Sequence, residues 1–369
     1  MHVRSSVVKG PGQKWETVTL ELAPPGPEEV LVRMHAAGLC HSDEHLRHAS
    51  ARYPIIGGHE GSGVVEAVGD AVTRFAPGDH VLSAVTPSCG VCRYCQSGRS
   101  PLCDLGATIG TGQMPGTGRF PATLDGEDIG GLCMLGTFSE RIVTSQYSLI
   151  KSDPGLPHDV GALLSCGVPT GWGSAVGAGA VRAGEIVVVV GVGGVGVNAV
   201  QGAALGGASA VIAVDPVQMR RDFALTVGAT HAVATAAEAG EIARSFSPTG
   251  ADLTIVTTGN VSAEHVSDAF SVTGKGGRIV LTGVSDIPTD LTIGLPGTIF
   301  TSYGIRLIGA LVGDLNPQTD VPKLARLYQE GRLKVDELIT KRYTLDDVQQ
   351  GYDDQAAGTI MRGVVVFDN

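Results

Sequence analysis

Four cysteines crowd one short stretch: Cys89, Cys92, Cys95 and Cys103. A closed tetrahedral Zn²⁺ site needs four thiolates that fold back on one point. Gly90, Gly98 and Pro101 give this stretch the turns to do so. Disulfides would also use four cysteines, but the chain has 7, an odd number. Residues 1–30 lack a basic start followed by an apolar core, so a reducing, cytoplasmic compartment is expected. An iron–sulfur cluster is the sharper rival, because C-x₂-C-x₂-C opens a ferredoxin motif. That motif closes with C-x₃-C-P, whereas here Cys103 comes later and Asp104 follows it. The spacing favours zinc.

Two other segments carry residues able to bind metal or move protons. One runs Cys40, His41, Ser42, Asp43, Glu44, His45; the other is Gly57, Gly58, His59, Glu60, Gly61. Separately, neither decides anything. A single cysteine is most often a small buried hydrophobe, and His59 could be a hydrogen-bonded turn residue. Asp43 and Glu44 could equally be the solvated start of a helix.

The elements that must hold such residues are readable in part. Residues 186–214 contain no charged side chain. That length could span a bilayer, and its small-residue spacing would suit membrane helices. Its character changes part-way, however: a β-branched run at 186–190, then glycines, then small residues, then another β-branched run at 210–214. This is strand, turn, helix, strand. The turn is Gly191, Val192, Gly193, Gly194, Val195, Gly196. It lets backbone N–H groups approach a pyrophosphate at a helix N-terminus. Asp215 lies about 20 residues on, where an acid can hydrogen-bond an adenosine ribose. Read blandly, Asp215 is a strand-end turn residue before Pro216. An acid there repels a 2′-phosphate, so NAD is expected rather than NADP. Further strands at 251–257 and 277–281 end in small residues, and ligands sit at such carboxyl ends.

Residues 1–150 differ. Short strands at 7–8, 30–35, 63–68 and 80–84 lie between Gly/Pro turns at 24–27 and 77–79, an irregular β domain. At 369 residues the chain is long enough for two domains of roughly 100–200 residues. The 53 glycines point to many tight turns. A net charge of −11 argues against nucleic-acid or anionic-membrane partners, which need clustered Lys and Arg.

Taken together, Cys40 to His45, Gly58-His59-Glu60, 77–79, the four-cysteine lobe, Cys166 with Thr170, the glycine turn, Asp215 and Arg362 resemble the zinc-containing alcohol dehydrogenases of the medium-chain dehydrogenase/reductase superfamily. The resemblance implies an α/β fold. A discontinuous GroES-like β catalytic domain would span 1–167 and 311–369, with the structural zinc lobe at 88–104. A Rossmann doubly wound parallel-sheet domain would span 168–310. It implies two Zn²⁺ per chain and NAD(H). Cys40, His59 and Cys166 become ligands of a catalytic zinc whose fourth position takes water or substrate. Asp43 and Glu60 orient His59 or tune the metal. Ser42 accepts the alcohol proton, and a relay through the cofactor ribose ends at His45. His41, Thr170, Arg220, Val284 and Arg362 join the glycine turn and Asp215 in holding the cofactor. Val85, Met134 and Leu135 line the substrate pocket. Cys133 matches no zinc position and reads as a buried or free thiol.

Three departures from the family pattern stand out. His41 replaces an Arg that grips pyrophosphate in many relatives. Val85 replaces a pocket-narrowing aromatic, which with Ser42 in place of a bulkier Thr leaves room for a substituted or aromatic alcohol. The glycine-rich segment 106–131, with Asp125 to Asp128, has the length of a mobile or functional loop. With 103–108 and 167–172, it resembles actinobacterial nicotinoprotein (NDMA-dependent) alcohol dehydrogenases. These hold NAD(H) without releasing it and re-oxidise it with another electron acceptor. The implied partners are an alcohol or aldehyde, an external redox carrier, and further copies in a homodimer or homotetramer joined at a sheet edge. Two alternatives share motifs: a thiol-adduct formaldehyde dehydrogenase, which needs basic groups at the pocket mouth, and a non-catalytic NAD-binding protein with one structural zinc.

Overall fold

The β-branched runs become strands that sort into two compact units, Met1–Cys166 with Asn316–Asn369, and Gly167–Leu315. The computed structural model describes residues 1–50, 52–284 and 292–368. The chain re-enters the first unit at Asn316 rather than near 311. The reason is local: the turn Leu311–Asp314 belongs with the helix Gly167–Gly173, where Gly313 and Gly173 meet backbone to backbone.

In the first unit, His2–Val8, Glu16–Leu22, Ala122–Leu124, Glu127–Gly131 and Ile55–Ile56 close into a small barrel. Val3, Val7, Leu20, Leu22, Ile56 and Ile129 fill it. Segment 106–131 is therefore not a long loop. Its second half is a β-hairpin that closes the barrel, pairing with Glu16–Leu22 on one side and Ile55–Ile56 on the other. Asp125 (φ 53°) and Gly126 (φ 84°) make the two-residue turn, with the left-handed backbone that matches strand twist.

A second sheet runs Leu149–Lys151, His80–Ser83, Glu60–Val68, Glu29–Gly38, Arg362–Val366, Ile339–Tyr343, and Arg141–Ser145 also pairs with Glu29–Gly38. Val30, Val32 and Met34 alternate along Glu29–Gly38 and enter one core with Trp15, Phe138 and Tyr352. Each such side chain contributes up to about 3 kcal/mol when fully withdrawn from water.

Gly167–Leu315 holds a parallel sheet, ordered His231–Val233, Ala210–Val214, Ile186–Val190, Ala251–Val256, Thr273–Leu281, Arg306–Gly309. Its Ile186–Val190 and Ala210–Val214 strands are buried at every position, as expected of parallel strands covered on both faces. This is the doubly wound arrangement read from the sequence. Among the described residues no helix is long and apolar enough to cross a membrane.

A column of imidazoles crosses the second sheet. His158, at the start of helix His158–Leu164, stacks on His35 (4.3 Å, 9°) and His80 (5.2 Å, 12°). Its Nδ1 lies 2.8 Å from Ser62 Oγ. Burial, then the neighbouring His35 and His80, pull the His158 pKa down to about 4, against a raising influence of Asp159. The folded form thus keeps His158 neutral where the unfolded chain would bind a proton. Stability present above the unfolded value, about 6.5, is lost as pH falls toward 4. Thermal unfolding followed from pH 7 to 4 is expected to show a falling midpoint, and His158→Gln should flatten that fall. An identical pH profile for the variant would rule the column out as the source.

Candidate zinc centres and dinucleotide turn

None of the seven cysteines is disulfide-bonded. The Sγ atoms of Cys89, Cys92, Cys95 and Cys103 lie within 4.8 Å of one another, with Cys89 and Cys95 at 3.9 Å. A tetrahedral zinc with Zn–S near 2.3 Å needs edges of about 3.8 Å, so the donors fit. Backbone N–H groups turn inward onto sulfur. Val91 and Cys92 donate to Cys89 (3.4 and 3.3 Å), Cys89 to Cys103 (3.4 Å) and Cys95 to Cys92 (3.5 Å). Those from Cys95 and Asp104 hold the Cys92 thiol down at about 6, while burial pushes Cys103 up to about 12. All four positions are filled by protein, which suits a structural ion.

The second cluster lies wholly in the first unit. Ligand atoms of Cys40, His59, Glu60 and Cys166 also fall within 4.8 Å of one another, and all four residues are buried. Cys40 caps helix His41–Ala49; Asp43, at its third position, accepts the Cys40 N–H (3.3 Å). His59 Nδ1 lies 2.8 Å from Asp43 Oδ1. An ionised carboxylate only accepts, so Nδ1 carries the proton and Nε2 is left as the lone-pair donor for a metal. Ser83 Oγ donates to the His59 carbonyl (2.8 Å) and accepts from Gly61 N–H (2.8 Å), fixing the turn that carries His59. Cys166 follows helix His158–Leu164, whose end is tied down by Ser165 Oγ donating to Ala162 (2.6 Å).

The electrostatics show what the cluster lacks without an ion. Cys40 and Cys166 share one proton. The Cys166 thiol donates to Cys40, holding Cys40 well below the thiol range and Cys166 well above it. Burial opposes charge on His59, but Asp43, Cys40 and Cys166 outweigh it and raise its pKa. A divalent cation can replace both protons, and two thiolates with a neutral imidazole balance it. The donor set fits zinc.

Of the two roles expected of Glu60, orienting His59 or tuning the metal, the first is not its own. Its Oε2 is held by Arg362 Nη2, which also donates to the Leu39 carbonyl (3.2 Å). Burial pushes the Glu60 carboxyl up to about 7 against the pull of Arg362. The work of orienting His59 falls to Asp43. Gly38 makes the Glu60–Arg362 contact possible: it is paired with Glu60 on one side and Val364 on the other, and a Cβ there would run into the Glu60 carboxylate. Arg362, expected on the cofactor, is buried on Glu60, with its Nε lacking a partner.

Other expected site residues are placed as follows. Ser42 is half-buried, His41 exposed and His45 7 % exposed, its ring edge-on to His41 at 5.0 Å. Glu44 is no solvated helix start; it accepts from Trp15 Nε1 (3.0 Å) and Arg47. Val85 is half-buried. Cys133 (φ 53°) and Met134 (φ 63°) turn the chain inward, so Met134 is buried, with its sulfur accepting from Thr108 Oγ1 (3.2 Å). Leu135 lines a small cavity inside the barrel with Leu20, Ile56 and Ile129. Both are therefore core residues of this unit. Cys133 is a buried thiol raised to about 11 by burial.

In Gly167–Leu315, the glycine turn follows Ile186–Val190. A Cβ on Gly196 would collide with the Gly191 carbonyl, whereas one on Gly193 would meet nothing within 4 Å. The first glycine lets helix Gly196–Leu205 pack close; the second leaves the space a pyrophosphate would fill. Asp215 Oδ2 accepts from Val192 N–H (3.1 Å), Oδ1 accepts from Val217 N–H (2.9 Å), and Arg220 Nη1 lies 3.7 Å away. Thr170 accepts from Ser174 Oγ (2.7 Å) through its carbonyl. Val284 is 47 % exposed, its carbonyl accepting from Val261 N–H (3.0 Å). Gly194 and Val195 complete the turn. The open cradle and the acid fit a dinucleotide.

Sequence reasoning missed one neighbour of the buried cluster. Tyr352 donates to Asp43 Oδ2 (2.5 Å) from 309 residues away, and nothing local to Tyr352 signals it.

Two substitutions separate the centres. Cys40→Ala should remove one zinc per chain and abolish turnover, with nucleotide binding still detectable by fluorescence. Cys92→Ala should instead remove the lobe zinc and lower the unfolding midpoint, by about 2–4 °C for each kcal/mol lost. Metal analysis with thermal denaturation reads both, and retained turnover in Cys40→Ala would overturn the assignment.

Residues 26–154 match the family model of the alcohol dehydrogenase GroES-like domain, and residues 194–330 that of the zinc-binding dehydrogenases. The chain is 50% identical to the NDMA-dependent alcohol dehydrogenase of Amycolatopsis methanolica, over 99% of each chain. Among solved structures it is similar to an alcohol dehydrogenase zinc-binding domain protein from Burkholderia ambifaria (TM-score 0.92, 29% identity) and to benzyl alcohol dehydrogenase from Acinetobacter calcoaceticus (TM-score 0.89, 26% identity), each covering 100% of both chains. With two fitted zinc centres and a dinucleotide turn in their family order, the chain belongs to the zinc-dependent alcohol dehydrogenases of the medium-chain dehydrogenase/reductase superfamily.

Proposed function

We propose that this NAD-linked, zinc-dependent alcohol dehydrogenase keeps its dinucleotide bound through turnover and returns it to the starting redox state with an external carrier. The full-length likeness to the NDMA-dependent relative carries this reading. When bound, zinc would supply the polarisation of the alcohol oxygen and NAD⁺ the hydride acceptor for oxidation to the aldehyde. The chain's own residues supply the rest. Cys40, His59 and Cys166 hold the ion. Ser42 takes the hydroxyl proton, and His45 passes it on. Gly191, Gly193, Gly194 and Gly196 admit the pyrophosphate to a helix N-terminus, and Asp215 selects NAD by hydrogen-bonding the ribose and repelling a 2′-phosphate. His41, Thr170, Arg220 and Val284 complete the cofactor's surroundings.

The small side chains of Ser42 and Val85 favour a substituted or aromatic alcohol. Assembly through the sheet edge at Arg306–Gly309 is part of the proposal. Ile299 and Tyr303, on the preceding helix Gly297–Tyr303, are exposed there, and pairing copies would cover both strand edge and apolar side chains.

The test is cofactor exchange. Protein purified without added cofactor is given benzyl alcohol, with and without excess NAD, and NADH absorbance is followed. A dinucleotide that co-purifies, and one turnover per site unless an artificial electron acceptor is present, is the expected result. Sustained NADH accumulation that requires added NAD would make it an ordinary exchanging dehydrogenase.

A further inference from the structure

The carboxylate of Asp43 ties two zinc ligands together. Oδ1 takes the His59 ring N–H at 2.8 Å, and Oδ2 takes the Cys40 backbone N–H at 3.3 Å. The short bond at Oδ2 comes from elsewhere, the Tyr352 hydroxyl at 2.5 Å. Asp43, His59 and Tyr352 are all buried, so no solvent is at hand to take over a lost partner. The phenol ring is itself locked. It stacks on Trp15 (5.6 Å, 25°), with Phe138 edge-on at 6.3 Å, and Trp15 is anchored through Nε1 to Glu44 of the same helix that carries Asp43. An aromatic clamp thus holds one hydroxyl against the acid that holds the histidine.

From this we propose that Tyr352 is a positioning residue of the catalytic zinc centre. Its hydroxyl fixes the Asp43 carboxylate in the rotation that presents His59 Nε2 to the metal, so the C-terminal helix Val348–Ala356 controls how tightly zinc is held. The chemistry explains why a phenol suits the place. Asp43 needs a donor that adds no charge, since a second cation beside Arg362 would weaken the site's attraction for zinc. A hydroxyl on a rigid ring satisfies the oxygen without one. If the hydroxyl is lost, Asp43 Oδ2 keeps only the longer bond from Cys40. The carboxylate is then free to rotate toward that bond and away from His59. Outer partners of metal-bound histidines typically control metal affinity by about 10–100-fold.

The inference rests on the buried zinc centre and not on the retention of dinucleotide, so the two readings fail separately. Tyr352→Phe keeps the ring and removes only the hydroxyl. Full-length protein carrying two zinc ions, freed of nucleotide, is mixed with excess chelating dye, and release of each ion is timed. Lobe zinc serves as the internal reference. The catalytic ion is expected to leave Tyr352→Phe about 10–100-fold faster than wild type, with lobe release unchanged. With Co²⁺ in the catalytic position, the visible d–d bands of the variant should shift, because the imidazole turns. Tyr343→Phe is the control. It removes a similar phenol–carboxylate bond, to Asp354 Oδ2 at 2.6 Å, away from the ligands. It should lower stability without changing zinc release or the cobalt spectrum.

Equal release from Tyr352→Phe and wild type, with superimposable cobalt spectra, would overturn the proposal, as would faster release from both phenylalanine variants. A measurement on the wild type covers a variant that fails to fold. With tyrosine labelled at the ζ-carbon, one of the 7 tyrosine resonances must move when the catalytic ion alone is withdrawn. Seven unmoved resonances overturn it.

Discussion

Cys40, Asp43, Glu60 and Cys166 bring four acidic groups together where water is excluded, and the rest of the first unit is arranged around that fact. Two like charges 4 Å apart repel by about 4 kcal/mol even at an effective dielectric of 20. The chain answers with one guanidinium from Arg362, one imidazole N–H, one phenol and one backbone amide. These do not suffice, as the proton shared between Cys40 and Cys166 shows. A doubly charged ion closes the deficit, so zinc affinity and the stability of this unit are linked quantities.

The strand Glu29–Gly38 is what brings the charges within reach. Glu60–Val68 pairs on one side and Arg362–Val366 on the other, so acid and guanidinium, 302 residues apart in sequence, meet across it. Gly38 ends that strand and leaves the gap they need. Leu39 and Cys40 follow at once, and the helix beginning at His41 delivers Asp43 beneath His59. This gives the discontinuity of the unit a purpose. The chain returns after Leu315 with both Arg362 and Tyr352. Removing either would leave a buried acid short of a partner; for Arg362, whose loss breaks a buried ion pair, the cost is about 3–5 kcal/mol.

Legibility in the sequence follows the distance over which each feature is determined. The four-cysteine lobe is built within fifteen residues, and its spacing alone identified it. The strands 186–190 and 210–214 and the glycine turn were legible for the same reason: composition changes there over a few residues. Asp125-Gly126 was a hairpin signal of the same local kind, obscured by the glycines around it, which made the segment look like a loop. Cys166 and Arg362 were reachable only through resemblance, and the latter's partner was still misjudged. Its contact with Glu60 depends on strand order, which no local pattern encodes. Tyr352 had no signal at all, since a tyrosine on an amphipathic helix reads as core. Met134 and Leu135, expected on the substrate pocket, are buried in the first unit. Two successive left-handed residues, Cys133 and Met134, reverse the direction in which the side chains point, and neither is a glycine that would have announced it.

The two metal centres illustrate a division of electrostatic labour. In the lobe, backbone N–H groups point at sulfur, and four thiolates fill every position. Their excess negative charge is tolerable because three of the four cysteines remain half-exposed. Such a site is strong, local and inert. The buried centre cannot copy it, because a fourth thiolate without solvent would leave a net charge that nothing nearby could offset. Two thiolates and an imidazole balance the ion and leave one position. Glu60 stands close enough to take it, but its carboxylate is engaged by Arg362. Arg362 neutralises that buried acid. It holds the Glu60 carboxylate beside the ligand set, while two thiolates and an imidazole leave a fourth position for water or substrate, the property that separates a catalytic zinc from a structural one.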